Sequence, residues 1–143
     1  MSARMLTYRG TVYPWHCDHV GHMNVMWYVG KFDEATWQLL NAIGLTPSYF
    51  RSEKRGMAAV DHHISYFNEL RAGAVISVYS TILEVKAKSI CFVHEMVDDE
   101  SGEVVARATL KGVHIDTELR KSCPMDEAIV AKAAAFIVPQ AAE

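Results

Sequence analysis

The hydrophobic residues in the first third of the chain follow a helical period. Between Asn24 and Ile43 they recur at alternating steps of four and three, which keeps them on one face of a helix. The apolar face consists of Tyr28, Phe32, Ala35, Leu39 and Ala42. The polar face consists of Lys31, Glu34, Gln38 and Asn41. Asn24 is a favoured N-cap and Gly44 stands where a C′ glycine belongs, so we predict a helix over residues 24–43.

Much of the remaining chain is rich in β-branched and aromatic residues and is punctuated by turn residues, which is typical of strands. A first strand is predicted from Met5 to Trp15, stopping near Pro14. Four further strands are predicted over residues 56–70, 74–86, 89–97 and 103–116. An acidic segment ending in glycine, residues 98–102, predicts a hairpin turn between the last two strands.

The last strand alternates with a period of two. Its apolar side consists of Val104, Ala106, Ala108 and Leu110, and its polar side of Arg107, Thr109 and Lys111. One face is therefore predicted to be buried, and Gly112 predicts a bulge. A short helical segment is expected from Pro47 to Arg55, and a C-terminal helix over about residues 124–137 with Pro124 in its first turn.

The order of these elements indicates the fold class. A strand, a long helix, four consecutive strands and a short helix favour an antiparallel sheet with the helix on one face. We therefore predict an α+β protein in which a curved antiparallel sheet of about five strands wraps the long helix. A length of 143 residues suits one domain, so residues 1–143 are predicted to form a single domain.

Composition and charge narrow the possible functions. Half of the residues are hydrophobic and 22% are charged, which favours a packed core over disorder. The net charge of −3 gives no basic excess for nucleic acid or an anionic membrane. No apolar run approaches a membrane span, and residues 1–9 do not resemble a signal peptide. The three cysteines are widely spaced, so we expect a soluble, cytoplasmic protein with reduced thiols.

The densest group of reactive side chains, residues 15–24, lies between the first strand and the long helix. A helix N-terminus offers unpaired N–H groups and a partial positive charge, which can stabilise an oxyanion. A carboxylate on the preceding loop, such as Asp18, could attack a bound carbonyl or activate water beside it. Acyl transfer is the chemistry that this arrangement favours.

The run from Asp18 to Tyr28 resembles the D-x-x-G-H-x-N-x-x-x-Y signature of the 4-hydroxybenzoyl-CoA thioesterase family. The segment 32–35, Phe-Asp-Glu-Ala, resembles the aromatic-acidic-acidic-Ala pattern that follows it in that family. The resemblance implies the hotdog fold and hydrolysis of a small short-chain, polar or aryl acyl-CoA without a cofactor. It also implies a homodimer, with a tetramer as a further step, and sites at the dimer interface that the second subunit completes.

The resemblance implies roles for several residues of the motif. Asp18 takes the catalytic carboxylate position, as nucleophile or as general base. The backbone N–H of Val25 takes the position that polarises the thioester carbonyl, although many relatives carry an Asn, His or Tyr side chain there. Asn24 would cap the helix or bind water, and His22 would orient the loop.

Aromatic residues flank this motif, and basic residues lie at strand ends. Trp15, Trp27 and Tyr28, together with Tyr13, are candidates for the wall of a small acyl pocket, including one for a quaternary ammonium group. The phosphates of CoA need positive charge, and the candidates are Arg71, Lys86 and Lys88 with Ser89. Ordinary solvated charge remains an equal explanation for this basic set.

Other functions are compatible with parts of the same pattern. A zinc site could use His16, Cys17, Asp18, His19 and His22, but no second cluster of the matching type completes it. Cys17 could act as a nucleophile only if a base approached it in space. The alternatives at the level of the whole protein are a non-catalytic acyl-CoA-binding protein and an enoyl-CoA hydratase-type enzyme.

Overall fold

This computed structural model describes residues 4–137 of the chain. A short 3-10 helix, Pro14–His16, follows the first strand. The remaining elements are β1 (Met5–Thr11), α1 (Val25–Ala42), α2 (Pro47–Glu53), β2 (Arg55–Tyr66), β3 (Val75–Val85), β4 (Ser89–Asp98), β5 (Val104–Asp116), β6 (Lys121–Ser122) and α3 (Glu127–Ala134).

The five long strands form one antiparallel sheet in the order β1-β3-β4-β5-β2, and the short β6 pairs with the end of β5. The predicted α+β class with an antiparallel sheet of about five strands is confirmed. Within the described part of the chain, β1 and β2 form the two edges. Residues 59–63 of β2 are exposed.

The apolar face of α1 packs against this sheet. Tyr28, Phe32, Ala35 and Leu39 are buried, as the periodicity predicts. Two residues differ from the prediction. Ala42 is exposed, because the last turn of α1 buries Leu40 and Ile43 instead. Lys31, predicted on the polar face, is only 3% exposed.

Several boundaries differ from the predicted ones because the backbone bonds elsewhere. The first strand ends at Thr11 rather than Trp15, since the chain turns into the 3-10 helix at Pro14. β2 ends at Tyr66 rather than at residue 70, since the next two N–H groups both donate to the carbonyl oxygen of Val105.

The C-terminal helix begins at Glu127, and Pro124 lies before it. The N–H groups of Cys123 and Met125 donate to the carbonyl oxygens of His114 and Ala87 at 2.9 Å each. These bonds hold the segment in an extended conformation against the sheet and delay the helix. The helix also ends at Ala134, three residues earlier than predicted.

The bulge predicted at Gly112 of β5 lies instead on the neighbouring strand β2. Gly112 stays paired with Ile90, and the extra residue is Val60, on β2 opposite Gly112. A Cβ atom on Gly112 would lie 3.1 Å from the terminal methyl carbon of Met57, so this glycine provides room for that side chain. Among residues 4–137, no helix qualifies as a candidate membrane span.

Candidate active site

The loop between the 3-10 helix and α1 closes on itself as a tight turn. Asp18 N–H donates to the carbonyl oxygen of His22 at 3.1 Å, and Gly21 N–H donates to that of Asp18 at 2.9 Å. Gly21 has a φ of 99°, a left-handed conformation that favours glycine. Met23 N–H donates to the carbonyl oxygen of Leu70 at 2.7 Å, which fastens the loop to the segment before β3.

Two donors fix the carboxylate of Asp18. Val20 N–H donates to Oδ1 at 2.9 Å, and the Asn24 side-chain amide donates to Oδ2 at 2.9 Å. The hydrogen bond from Asn24, followed by that from Val20, lowers the pKa of Asp18 below its ordinary value. The carboxylate is therefore ionised at neutral pH and held in one orientation.

Asn24 connects this carboxylate to the start of α1. Its Oδ1 accepts the N–H of Met26 at 2.9 Å, which confirms the predicted N-cap. The N–H of Val25 donates to no group within residues 4–137. A helix N-terminus with one N–H capped and its neighbour free can donate to a developing oxyanion.

Asp18 and Val25 line the same cavity of about 380 Å³. Its lining also includes Val20, His22, Met23, Asn24, Tyr28, Tyr66, Phe67, Asn68 and Glu69. The rings of Tyr28 and Tyr66 meet edge to face with centroids 5.1 Å apart, and burial raises the pKa of Tyr28 to about 12. Glu69 lies 3.3 Å from Nε2 of His22. The cavity thus combines a carboxylate, a helix N-terminus, aromatic walls and a second carboxylate.

The two tryptophans predicted for the acyl pocket lie elsewhere in the protomer. Trp15 and Trp27, with Tyr13, line a separate cavity of about 420 Å³ between β1, the 3-10 helix and α1. That cavity shares no lining residue with the one at Asp18. Of the predicted aromatic set, only Tyr28 faces the Asp18 cavity.

The predicted basic cluster is divided between the two ends of β3. Arg71 precedes this strand of 11 residues, whereas Lys86 and Lys88 follow it, so roughly 35 Å separates the two groups. Arg71 follows Leu70 and lies at the end of the sheet near Asp18. Lys86 and Lys88 are exposed at the opposite end, and Ser89 is buried as the first residue of β4.

The residues of the suggested zinc and thiol sites have other partners. His16 Nδ1 accepts the N–H of Tyr13 at 2.9 Å, and the thiol of Cys17 contacts the carbonyl oxygen of Tyr13 at 3.9 Å rather than an imidazole. Across residues 4–137 no three His, Cys, Asp or Glu side chains form a group suited to a metal ion.

The cavity also contains residues 66–69, Tyr66, Phe67, Asn68 and Glu69, which the sequence did not predict as site residues. They follow Asp18 by about fifty positions and reach it because the Met23 N–H donates to the carbonyl oxygen of Leu70, which joins the two loop segments. No local period or spacing joins segments so far apart. Their only local signal in the sequence is an aromatic pair followed closely by an acidic residue at the end of β2.

A long helix wrapped by a curved antiparallel sheet, with a tight loop at the helix N-terminus, is the architecture of the hotdog fold. Residues 12–133 match the model of the thioesterase-like superfamily, and the chain belongs to this family. The predicted recognition as a hotdog-fold thioesterase and the predicted enzyme class, a thioester hydrolase, are confirmed at the level of the family.

Two curated relatives share the name betainyl-CoA thioesterase. The chain is 24% identical over 136 residues to the betainyl-CoA thioesterase of Pseudomonas aeruginosa, covering 95% of this chain and 86% of that protein. It is 31% identical over 113 residues, 79% of its length, to an L-carnitine dehydrogenase/betainyl-CoA thioesterase of Agrobacterium fabrum. The chain spans only 23% of the length of that relative.

Solved structures share the fold. A hypothetical protein from Staphylococcus aureus, in complex with CoA, superimposes with a TM-score of 0.88 at 20% identity, covering 95% of this chain and 85% of that chain. A 1,4-dihydroxy-2-naphthoyl-CoA thioesterase from Synechocystis gives a TM-score of 0.80 at 24% identity, covering 90% and 95% of the two chains. These similarities establish the hotdog fold.

Proposed function

We propose that this protein hydrolyses a small acyl-CoA thioester, with Asp18 as the catalytic carboxylate and the N–H of Val25 as the oxyanion donor. The observation that carries the proposal is their shared cavity, in which an oriented, ionised carboxylate lies beside an unpaired helix N-terminal N–H. A thioester carbonyl bound at Val25 would lie within reach of the carboxylate.

Either role of Asp18 gives a balanced reaction. As a base, it takes a proton from water while the water oxygen adds to the carbonyl carbon, and Val25 stabilises the oxyanion. The C–S bond then breaks, and the CoA thiolate recovers the proton. As a nucleophile, the carboxylate itself adds to the carbonyl carbon, CoA leaves, and water hydrolyses the mixed anhydride. In both routes Asn24 orients the carboxylate. The contact of His22 with Glu69 holds in place the loop that lines the cavity.

We propose further that the acyl group is cationic and small, in the manner of a betainyl group. The names of the curated relatives support this substrate. So does the cavity, because the aromatic rings of Tyr28, Tyr66 and Phe67, whose faces attract cations, lie there with the carboxylate of Glu69. In this proposal, Tyr28, Tyr66 and Phe67 form the aromatic wall of the acyl pocket, in place of the tryptophans that the sequence favoured.

We propose that the active form is a homodimer built through the free edge of β2, with a tetramer as a further step. A two-fold axis at an antiparallel β2–β2 contact would bring the Tyr66 end of one protomer beside the Arg55 end of the other. Lys88 lies at the latter end, since its carbonyl oxygen accepts the N–H of His114 next to Met57. The partner's Lys86 and Lys88 would then serve the CoA phosphates at each Asp18.

The test of catalysis is release of free CoA thiol by the wild type, Asp18→Asn and Asp98→Asn. Asp98 is a matched control because its carboxylate also accepts the N–H of the residue two positions on, in an exposed turn. We expect Asp18→Asn to lower kcat about 10²- to 10⁴-fold and Asp98→Asn to leave it unchanged. Equal loss in both variants would contradict the assignment, and a wild type that binds but never hydrolyses would favour the non-catalytic alternative.

The test of the acyl group compares betainyl-CoA with 3,3-dimethylbutanoyl-CoA, which has the same shape but a carbon in place of the charged nitrogen. We expect a higher kcat/KM for the cationic ester and a reduced preference in Glu69→Gln. Equal kcat/KM for the two esters would refute charge recognition while leaving the thioesterase proposal intact.

A further inference from the structure

The ammonium group of Lys31 is buried without a carboxylate partner. The residue is 3% exposed, and its Nζ donates to the Tyr8 hydroxyl at 3.2 Å and lies 5.3 Å from the centre of that ring. Within residues 4–137 it forms no ion pair. Buried charges in proteins are normally paired, because the loss of hydration is unfavourable. Because Nζ of Lys31 makes one hydrogen bond within residues 4–137, two of its three N–H donors remain available for an anion.

The local structure holds Lys31 in this position. The Tyr8 ring lies across Gly10, where a Cβ atom would come within 2.6 Å of the Tyr8 hydroxyl oxygen. A side chain at that position would displace the ring, so the glycine permits the only hydrogen bond that Lys31 makes in the described chain. The neighbouring strand β1 therefore fixes the position of the ammonium group.

Lys31 faces the aromatic cavity that also contains Tyr13, Trp15 and Trp27. The rings of Tyr13 and Trp15 stack with centroids 4.5 Å apart and an interplanar angle of 7°, yet 47% and 66% of their surfaces are exposed. A stacked, exposed aromatic pair beside a buried cation offers both apolar contact and charge to a ligand. At about 420 Å³, the cavity has the size of a small-molecule site.

The charges around this cavity favour a monoanion. Since Nδ1 of His16 accepts the N–H of Tyr13, its Nε2 carries the proton of the neutral ring. Burial, and then the charge of Lys31, lowers the pKa of His16, so this ring adds a donor but no charge. Glu34 also lines the cavity, but it is exposed. One buried positive charge near an acidic residue suits a carboxylate better than a phosphate dianion.

We propose that this second cavity binds a small organic carboxylate with a flat or methylated body. The carboxylate accepts from Nζ of Lys31, and the body packs against Trp15 and Trp27. The site is distinct from the cavity at Asp18, whose own carboxylates disfavour an anion. The inference does not depend on the proposed hydrolysis, since it concerns binding in the absence of any CoA ester.

Isothermal titration calorimetry of the protein of residues 1–143 tests the proposal with two probes, benzoate and its uncharged analogue benzamide. We expect benzoate to bind with a Kd of about 1 mM or below, and benzamide about 10-fold or more weakly. We expect Lys31→Met, which keeps the length of the side chain, to lower benzoate affinity about 10-fold or more. Lys132→Met removes an exposed lysine of α3 far from this cavity, serves as the control for loss of one positive charge, and should bind as the wild type does.

Three outcomes would overturn the proposal. They are no benzoate binding at about 10 mM, equal binding of benzoate and benzamide, and unchanged benzoate binding in Lys31→Met. The comparison of the two probes on the wild type keeps the test valid even if Lys31→Met does not fold. A second variant, Trp15→Leu, removes an exposed ring and should weaken benzoate without affecting the thermal midpoint.

Discussion

At the scale of single residues, His94 ties α1 to the sheet through a buried chain of hydrogen bonds. The contacts Thr7–Ser80, Ser80–His94 and His94–Thr36 measure 2.7, 2.6 and 2.8 Å. Each hydroxyl has one proton, and Thr36 can give its proton to the backbone carbonyl of Phe32 or to His94, as Thr7 can to Val78 or Ser80. By orienting these hydroxyls, the chain can satisfy both ring nitrogens of a neutral imidazole. Burial, followed by repulsion from His62, lowers the pKa of His94 to about 3.

The depressed pKa of His94 predicts a loss of stability in acid. Between about pH 6.5, the unfolded value, and about 3, the unfolded chain binds a proton that the folded protein does not. The contribution is therefore complete above pH 6.5 and declines by at most about 1.4 kcal/mol per pH unit as the pH falls.

Chemical denaturation of wild type and His94→Gln between pH 7.5 and about 4 measures this contribution. We expect the wild type to be the more stable at neutral pH and the difference in free energy of unfolding to shrink in acid. The exposed His19→Gln serves as a control and should follow the wild type throughout. Parallel curves for wild type and His94→Gln would show that His94 does not carry this pH dependence.

At the scale of elements, one glycine lies inside α1 and another lies just after its end. Their backbone conformations differ. Gly44 has a φ of 100°, where a Cβ atom is strained, and that atom would also lie 3.4 Å from Ile129. Gly30 lies in the helix interior, where a Cβ atom would meet only Trp27 at 3.8 Å. The same substitution should therefore have opposite effects at the two positions.

We expect Gly44→Ala to destabilise the protein by about 1–2 kcal/mol and Gly30→Ala to stabilise it by about 0.4–1 kcal/mol. The difference arises because alanine restricts the unfolded chain in both variants but fits the native backbone only at Gly30. Urea denaturation of the two variants beside the wild type measures both values. Destabilisation of similar size in both would indicate that packing, rather than backbone conformation, governs these positions.

At the scale of the whole molecule, one side of β2 has no neighbouring strand within residues 4–137. A 12-residue edge strand with exposed positions 59–63 presents unpaired backbone groups that would promote uncontrolled pairing if left uncovered. Val60 is 57% exposed at the bulge of this edge. Leu83 is 39% exposed at a bulge of β3, inside the sheet, and provides a matched control.

We expect light scattering to give a dimer or tetramer for the wild type and for Leu83→Lys, and a smaller species for Val60→Lys. A charged side chain on the edge disfavours strand pairing between copies. If the partner completes each site, Val60→Lys should also raise the KM for acyl-CoA. A monomeric wild type, or a Val60→Lys variant with unchanged mass, would contradict the proposed β2 interface.

The sequence by itself determined the features that depend on local spacing. The helical period and the caps Asn24 and Gly44 set α1, and the two-residue alternation around Ala106 and Ala108 set the buried face of β5. The motif beginning at Asp18 indicated the family, because its residues lie within one turn and one helix start. Such features follow from neighbours along the chain, so a single sequence contains them.

Only the tertiary structure decided which distant segments lie close together and which lie apart. It buried Lys31 under Tyr8, brought Glu69 and its aromatic neighbours to Asp18, and separated Arg71 from Lys88 by the length of β3. These relations arise from strand order, register and loop closure over tens of residues, which leave no periodic trace in the sequence. For the same reason the sequence grouped Trp15 and Trp27 with the motif, whereas the structure places them in a cavity separate from that of Asp18.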